Sequence, residues 1–90
     1  MLTSEIVRAA RALVRWEQKD LAQASGVSLP TITRLEAKPG ALSAHEPTIA
    51  AMRLALERVG VEFIAENGGG SGVRFRDKLD ARKKNSIDSE

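Results

Sequence analysis

The spacing of apolar residues along the chain changes near Gly60. Before Gly60, apolar residues recur every three or four positions, which is the period of an amphipathic helix and predicts four helices. The first helix begins after a cap at Thr3 or Ser4, and the fourth ends at Gly60. The inward-facing residues expected of these two helices are Ile6, Ala9, Ala10, Leu13, Val14, Ile49, Met52, Leu56 and Val59, with Leu54 and Ala55 beside them.

Two short helices joined by a tight turn are predicted in the middle of this segment, over residues 18–25 and about 29–38. Gly26 suits the turn because glycine adopts a positive φ without steric cost. Ser28 is placed to cap the second of these helices, and Pro30 falls in its first turn, where a missing N–H costs little. The apolar positions expected to face the core are Leu21, Ala22, Ala24, Ile32 and Leu35.

The connection to the fourth helix begins at Pro39 and Gly40, which stop the third helix. Ser43 and Glu46 have the spacing of a capping box for the next helix. Pro47 favours a start near Glu46 equally well, because proline is common in the first helical turn. The pattern leaves both starts open.

After Gly60 the pattern alternates, and the runs at 61–65 and 73–76 flank a glycine-rich segment, which predicts a β-hairpin. A lone two-stranded hairpin is marginal in water, so its strands need a partner. They either fold back onto the first and fourth helices or pair with the strands of a second subunit. Alternatively, the glycine run is a flexible connector and the fold ends near Glu66.

The composition argues against a catalytic or metal-binding protein. The 90 residues include no cysteine and one histidine, His45, which we interpret as a loop or cap residue. The glycines at 68–70 are not followed by a lysine or a helix, so they do not form a phosphate-binding loop. We therefore predict no catalytic residues, no metal site, no cofactor and no enzyme activity.

Charge is distributed unevenly along the chain. Residues 1–66 carry eight basic and eight acidic residues, while residues 67–90 carry six and four and so supply the whole excess of +2. Few apolar residues follow position 76, which predicts a charged, disordered tail over 77–90. The basic run at 82–84 either adds nonspecific attraction to DNA or serves only solubility.

The chain shows no signal for export or membrane insertion. Its first eight residues lack the long apolar core of a signal peptide, and no apolar run is long enough to cross a bilayer. We therefore expect a cytoplasmic protein, in a bacterial or phage setting, with no membrane partner.

An ordered set of residues carries a family resemblance. The set is Gln18-Lys19-Asp20-Leu21-Ala22, then Ser25-Gly26-Val27-Ser28, then Thr31-Ile32-Thr33-Arg34-Leu35-Glu36. This set resembles the Xre/Cro family of phage-repressor-like regulators, over roughly residues 8–60. The resemblance implies a mainly α fold: a four-helix helix-turn-helix domain over 1–60, then a small β-hairpin or dimerisation strands over 61–76, then the tail over 77–90.

The resemblance also implies which residues face DNA. In the family, the third helix contacts bases from its first turn and about one turn later, and the start of the second helix contacts a phosphate. The matching residues here are Gln18, Ser28, Leu29, Pro30, Thr31, Thr33, Arg34 and Lys38. Arg34 either grips guanine with two hydrogen bonds or clamps a phosphate. Leu29 and Pro30 replace the amides that some members use, and they either touch thymine methyl groups or are simply exposed.

Other residues have weaker or different expectations. Arg11 and Glu36 resemble a structural salt bridge of the family, behind the recognition helix. Arg8 and Arg15 lie either on a solvated face or against phosphates, and Trp16 is expected to pack between helices rather than stack on a base. Glu17 departs from the small polar residue often found there, and it repels phosphate unless it pairs with Lys19 or Arg15.

The resemblance leads to a sequence-specific DNA-binding transcriptional regulator, a repressor that binds double-stranded DNA at an inverted repeat as a homodimer. Because such regulators usually read two half-sites, pairing of strands between subunits is the preferred reading of the hairpin. Its dimerisation residues would be Val61, Phe63, Val73 and Phe75. The alternative is a protein-interaction module, such as an antitoxin or antiactivator, that holds a partner protein.

Overall fold

A computed structural model of the chain describes residues 1–77. Four helices come first: α1 (Ser4–Leu13), α2 (Gln18–Ser25), α3 (Leu29–Ala37) and α4 (Glu46–Arg58). Two strands follow, β1 (Val61–Ile64) and β2 (Gly72–Phe75). The predicted fold, four helices and then an antiparallel hairpin, is confirmed. The predicted tail over 77–90 lies, apart from Asp77, outside the described residues.

The N-terminus of the chain is tied to the turn that follows α3. Thr3 caps α1 by accepting the Ile6 N–H at 3.1 Å, one of the two caps expected. The Ser4 N–H donates to the Gly40 carbonyl at 2.9 Å, and the Leu42 N–H donates to the Leu2 carbonyl at 3.2 Å. We call these paired segments, residues 2–4 and 40–42, the N-terminal clamp.

Glu5 adds a side chain to this clamp. Its carboxylate accepts the Gly40 N–H at 3.2 Å. Hydrogen bonds from its own backbone N–H and from that of Gly40 lower the pKa of Glu5 below its ordinary value of 4.5. The ionised form of Glu5 therefore favours the folded state.

The buried face of α1 is rotated from the predicted one. Val7, Ala10 and Val14 are buried, whereas Ala9 is exposed and Ile6 is half-buried. Ala9 is therefore not part of the buried stripe, whereas Ile6 packs at its margin. The reason is Arg11, which shares the inner side of α1 because it bonds to a carboxylate on α3.

The turn between α2 and α3 has the predicted geometry. Gly26 ends α2 with φ 78°, and its N–H donates to the Ala22 carbonyl at 2.9 Å. Ser28 caps α3 by accepting the Thr31 N–H, and Pro30 lies in the first turn. The inward residues are fully or nearly buried, namely Leu21, Ile32 and Leu35, with Ala22 packed at the margin of the core.

One expectation for α2 is wrong, because Ala24 is exposed. It lies three residues after the fully buried Leu21, yet in this short helix it is Ala22 that packs against the core. α2 therefore contributes a narrower apolar face than predicted.

α4 begins at Glu46 with His45 in the cap position, so the start indicated by Pro47 is correct and the Ser43 capping box does not form. Met52, Ala55 and Leu56 are buried against the other helices, whereas Leu54 is 46% exposed. Leu54 is therefore not part of the core face.

The hairpin forms within the chain. β1 and β2 are antiparallel, with Val61 opposite Phe75 and Phe63 opposite Val73. Val61 is 1% exposed, and the other three are half-buried against the helical core, where β2 contacts α1 and β1 contacts α4. The alternative in which the hairpin folds back onto the first and fourth helices is thus observed, whereas pairing between subunits stays a prediction; the connector ending near Glu66 is wrong, because β2 follows the glycine run. The four apolar side chains that were expected to dimerise are used to cover the chain's own helices.

None of the helices in residues 1–77 has both the length and the apolar character needed to cross a bilayer.

Candidate nucleic-acid interface

The outer face of α3 carries most of the residues predicted to contact DNA. Ile32 and Leu35 anchor α3 in the core, so the intervening Thr33 and Arg34 are turned outward and exposed. Residues before them, at the start of the helix, are also exposed, and Leu29 is 42% exposed. The predicted contact residues on this surface are Ser28, Leu29, Pro30, Thr33, Arg34 and Lys38, with Thr31 half-buried among them.

Arg34 is available to a ligand. It makes no hydrogen bond or ion pair with any other residue in 1–77. It borders an open cleft lined by Ser43, His45 and Thr48, from the connection into α4 and the first turn of that helix. A guanidinium in this setting has all its donors free for the O6 and N7 atoms of guanine or for a phosphate.

Ser28 and Thr31 form a local pair at the start of α3. The Thr31 N–H donates to the Ser28 hydroxyl oxygen at 3.3 Å, and the Ser28 hydroxyl donates to the Thr31 hydroxyl oxygen at 2.9 Å. The Ser28 proton is therefore used inside the helix, whereas the Thr31 proton is not. Of the two, Thr31 keeps the donor for an outside acceptor.

Behind this surface lies a buried ion pair, as predicted. The Glu36 side chain is 2% exposed and that of Arg11 is 17% exposed. Arg11 donates to the carboxylate twice, from Nε at 2.8 Å and from Nη2 at 2.6 Å. Its Nη1 donates to the Trp16 carbonyl at 2.9 Å, so a single guanidinium joins α1, α3 and the start of the helix pair.

Gln18 extends the ion pair to the exposed surface. Its Nε2 donates to Glu36 Oε1 at 3.1 Å, and its Oε1 accepts the Thr33 hydroxyl at 2.7 Å. We call the four connected side chains, Arg11, Glu36, Gln18 and Thr33, the Glu36 network. The Gln18 amide retains one N–H for a phosphate after making these two bonds.

The first turn of α2 is more acidic than the surface around it. Glu17 is 74% exposed and lies 3.6 Å from Lys19 Nζ, one of the two partners predicted for it. Asp20 accepts the Glu17 N–H at 2.8 Å and so caps the helix. Since Glu17 pairs only loosely, its charge stays close to the position where Gln18 is predicted to meet a phosphate.

The remaining cations flank α3 or lie apart from it. Lys38 is exposed at the C-cap of α3, one residue beyond the observed helix end. Arg8 donates to the Glu36 carbonyl at 3.3 Å, which satisfies a carbonyl of the last turn of α3. Arg15 is exposed, with a positive φ of 59° between α1 and α2.

Two further sequence-based expectations concern packing and metals. Trp16 is half-buried against the core, in agreement with a packing role. Within residues 1–77, no group of three or more His, Asp or Glu side chains is arranged to hold a metal ion.

Sequence reasoning did not find that Gln18 and Thr33 are bonded to each other. They are 15 positions apart on different helices, and the bond depends on how closely α2 and α3 approach. Each had been assigned to DNA separately. The available signal was Glu36, whose buried acceptors require donors from α1 and α2 and so direct the Gln18 nitrogen inward and its oxygen toward Thr33.

A comparison with protein families gives one match, to a family model described as helix-turn-helix, over residues 7–46. A comparison with curated proteins gives no match. The matched segment covers α1 from Val7 onward, α2, α3 and their turns, which carry the Glu36 network and the exposed face of α3. Residues 7–46 therefore match a helix-turn-helix domain of the Xre/Cro type, which is a domain of DNA-binding transcription regulators.

Proposed function

We propose that the protein is a sequence-specific repressor that binds an inverted-repeat operator as a homodimer, with α3 in the major groove. The observation that carries this proposal is the exposed face of α3, where Arg34 makes no hydrogen bond or ion pair within residues 1–77, on a helix that the buried Arg11–Glu36 pair holds in place. This pair fixes the position of the helix before binding, so the cost of ordering falls on the exposed side chains themselves.

Affinity rests on few groups. Because residues 1–66 are neutral overall, their attraction to DNA depends on a few placed groups rather than on net charge. The remaining N–H of Gln18 and the ammonium of Lys38 are the proposed phosphate contacts at the two ends of the helix pair. Each neutralised phosphate adds about 0.9 to the slope of log affinity against log salt, so we expect a shallow salt dependence.

Recognition by one α3 covers only a few base pairs, so a second copy is proposed to double the contact. Two copies related by a twofold axis would place their α3 helices about one DNA turn, roughly 34 Å, apart. The free edges of the hairpin support this arrangement. Each strand has one neighbour within residues 1–77, so each retains an edge to which a strand of a second copy can add.

Repression is proposed because a small domain seated in the groove excludes other proteins from the same DNA. Among bacterial regulators this needs no contact with the transcription machinery, only an operator that overlaps a promoter. The setting proposed for this activity is the cytoplasm of a bacterium.

The test is selection of bound sequences from random DNA, followed by fluorescence titration on the selected site. Arg34→Ala should weaken binding about 5- to 150-fold and relax selection at one position per half-site, as expected for loss of a bidentate contact of about 1–3 kcal/mol. Arg58→Ala is the matched control, because Arg58 is an exposed arginine in the last turn of α4.

The outcomes separate the parts of the proposal. If Arg34→Ala binds every sequence as tightly as the parent does, the proposed readout is wrong. A selected site without twofold symmetry would contradict the homodimer. An operator whose insertion upstream of a reporter raises expression when the protein is present would contradict repression.

A further inference from the structure

The hydroxyl of Thr33 uses its only proton in a hydrogen bond within the protein. Its Oγ1 donates to Gln18 Oε1 at 2.7 Å, the shortest of the bonds that Gln18 makes. A threonine hydroxyl has one proton and two lone pairs. While this bond exists, the exposed Thr33 side chain can only accept a hydrogen bond from a ligand.

The direction of this bond follows from the buried end of the Glu36 network. The Glu36 carboxylate has no proton to give and is 2% exposed, so the group that faces it must be a donor. Gln18 therefore turns its nitrogen to Glu36 and its carbonyl oxygen to Thr33. Two charge-assisted bonds from Arg11 keep the carboxylate in place, at 2.6 and 2.8 Å.

The edges of bases in the major groove differ in whether they need a hydrogen-bond donor or an acceptor from the protein. Guanine presents two acceptors there and thymine presents one, whereas adenine and cytosine present amino groups that donate. A free hydroxyl serves either kind of edge. An acceptor-only hydroxyl pairs with an amino group and leaves a guanine or thymine oxygen without a donor.

We propose that Thr33 is a specificity-determining residue that selects an exocyclic amino group, N6 of adenine or N4 of cytosine, because the Glu36 network holds its hydroxyl as an acceptor. The inference rests on the proposed function, since it requires α3 to lie in the major groove. In this proposal Gln18 contacts the DNA backbone with its remaining N–H, and the neighbouring Thr33 contacts a base.

The test removes amino groups from the selected operator one at a time. Each adenine is replaced by 2′-deoxynebularine and each cytosine by the 2-pyrimidinone nucleoside, which lack N6 and N4 amino groups. At one position per half-site, the parent should lose about three- to tenfold in affinity, the range of one neutral hydrogen bond. Thr33→Ser keeps the hydroxyl and should lose the same factor, whereas Thr33→Val has no acceptor and should lose nothing at that position.

A second variant tests the cause. Gln18→Met removes the acceptor that holds the Thr33 proton, so the hydroxyl becomes free to donate. The loss of a phosphate contact weakens all sequences about equally, and it therefore cancels in the ratio between two operators. The preference for an amino-bearing base over guanine or thymine at the Thr33 position should fall at least threefold in Gln18→Met.

The results distinguish this inference from the function on which it rests. If random selection yields no preferred sequence, the proposed function fails. If an operator is selected but parent and Thr33→Val respond alike to every amino deletion, only the Thr33 inference is overturned. An unchanged base preference in Gln18→Met would show that the network does not set the hydroxyl's direction.

Discussion

Arg11 and Glu36 are buried to different extents, so removing one or the other should lower the free energy of unfolding by different amounts. Removing one partner of a buried ion pair costs about 3–5 kcal/mol, because it leaves a charge without compensation. Glu36 is 2% exposed, so it cannot recover hydration when Arg11 is lost, and within residues 1–77 Gln18 is the one other side chain that donates to it. Arg11→Met should therefore lower the free energy of unfolding by about 4 kcal/mol.

Glu36→Gln should cost less, about 2 kcal/mol. The Arg11 side chain is 17% exposed and keeps its bond to the Trp16 carbonyl, so water and the new amide oxygen replace part of what is lost. The double variant Arg11→Met/Glu36→Leu buries no charge at this site. It should lie within about 1–2 kcal/mol of the parent; the remaining cost comes from the Trp16 carbonyl, which loses Arg11, and from Gln18 Nε2, which loses Glu36.

Urea unfolding measures all three variants. Trp16 is the single tryptophan and is half-buried, so its fluorescence reports the junction of α1 and α2, and circular dichroism at 222 nm reports the helices independently. A domain of this size has a total stability of about 5–10 kcal/mol, so Arg11→Met should remain folded in the cold. The reasoning is refuted if Glu36→Gln is less stable than Arg11→Met, or if the double variant loses the sum of the two single losses.

Three smaller predictions test other features. Gly26→Ala should lower the free energy of unfolding by about 1 kcal/mol in urea, because φ 78° strains an alanine even though no atom lies within 4 Å of the new Cβ. Gly69→Ala is the control, since Gly69 is equally open and has no positive φ, and it should cost nothing. Equal losses in the two variants would contradict this account. The pKa of Glu5 is lower in the folded state, so its contribution to the free energy of unfolding is present above pH 4.5 and is lost as pH falls through the lowered value. Glu5→Gln should therefore lose less stability on acidification than the parent does. A loss as large as the parent's would refute the linkage. Glu17→Gln should raise DNA affinity about two- to fivefold at low salt and less at high salt, whereas Glu66→Gln, on the hairpin loop, should change little; a salt-independent gain would rule out charge repulsion as the cause.

Features encoded by neighbouring residues were predictable from the sequence. Gly26, Ser28 and Pro30 specify the turn between α2 and α3 because each acts through local backbone geometry, and the structure has all three in their expected places. The ion pair of Arg11 with Glu36 was predictable only from the resemblance. Nothing in the 25 positions that separate them indicates contact.

Features that depend on how elements meet were predicted less well. α1 is rotated so that Val7 is buried and Ala9 is exposed, because Arg11 must lie on the inner face of α1 to bond to the buried Glu36 carboxylate. The hairpin had two possible partners, and an alternating pattern is equally compatible with either. The apolar face of the hairpin covers the chain's own helices because α1 and α4 present an apolar surface on which β1 and β2 pack.

The N-terminal clamp sets the smallest fragment that can carry this recognition surface. The family match spans residues 7–46, but a fragment cut at those limits would lack the α1 cap, the Leu2 side chain in the core and nearly all of α4. The turn after α3 would then lose its backbone partners, and the last turn of α3 would be free to fray. A minimal fragment for binding or crystallisation should therefore begin no later than Leu2 and extend through Phe75. An affinity tag joined before Met1, which is 87% exposed, adds its residues outside the clamp.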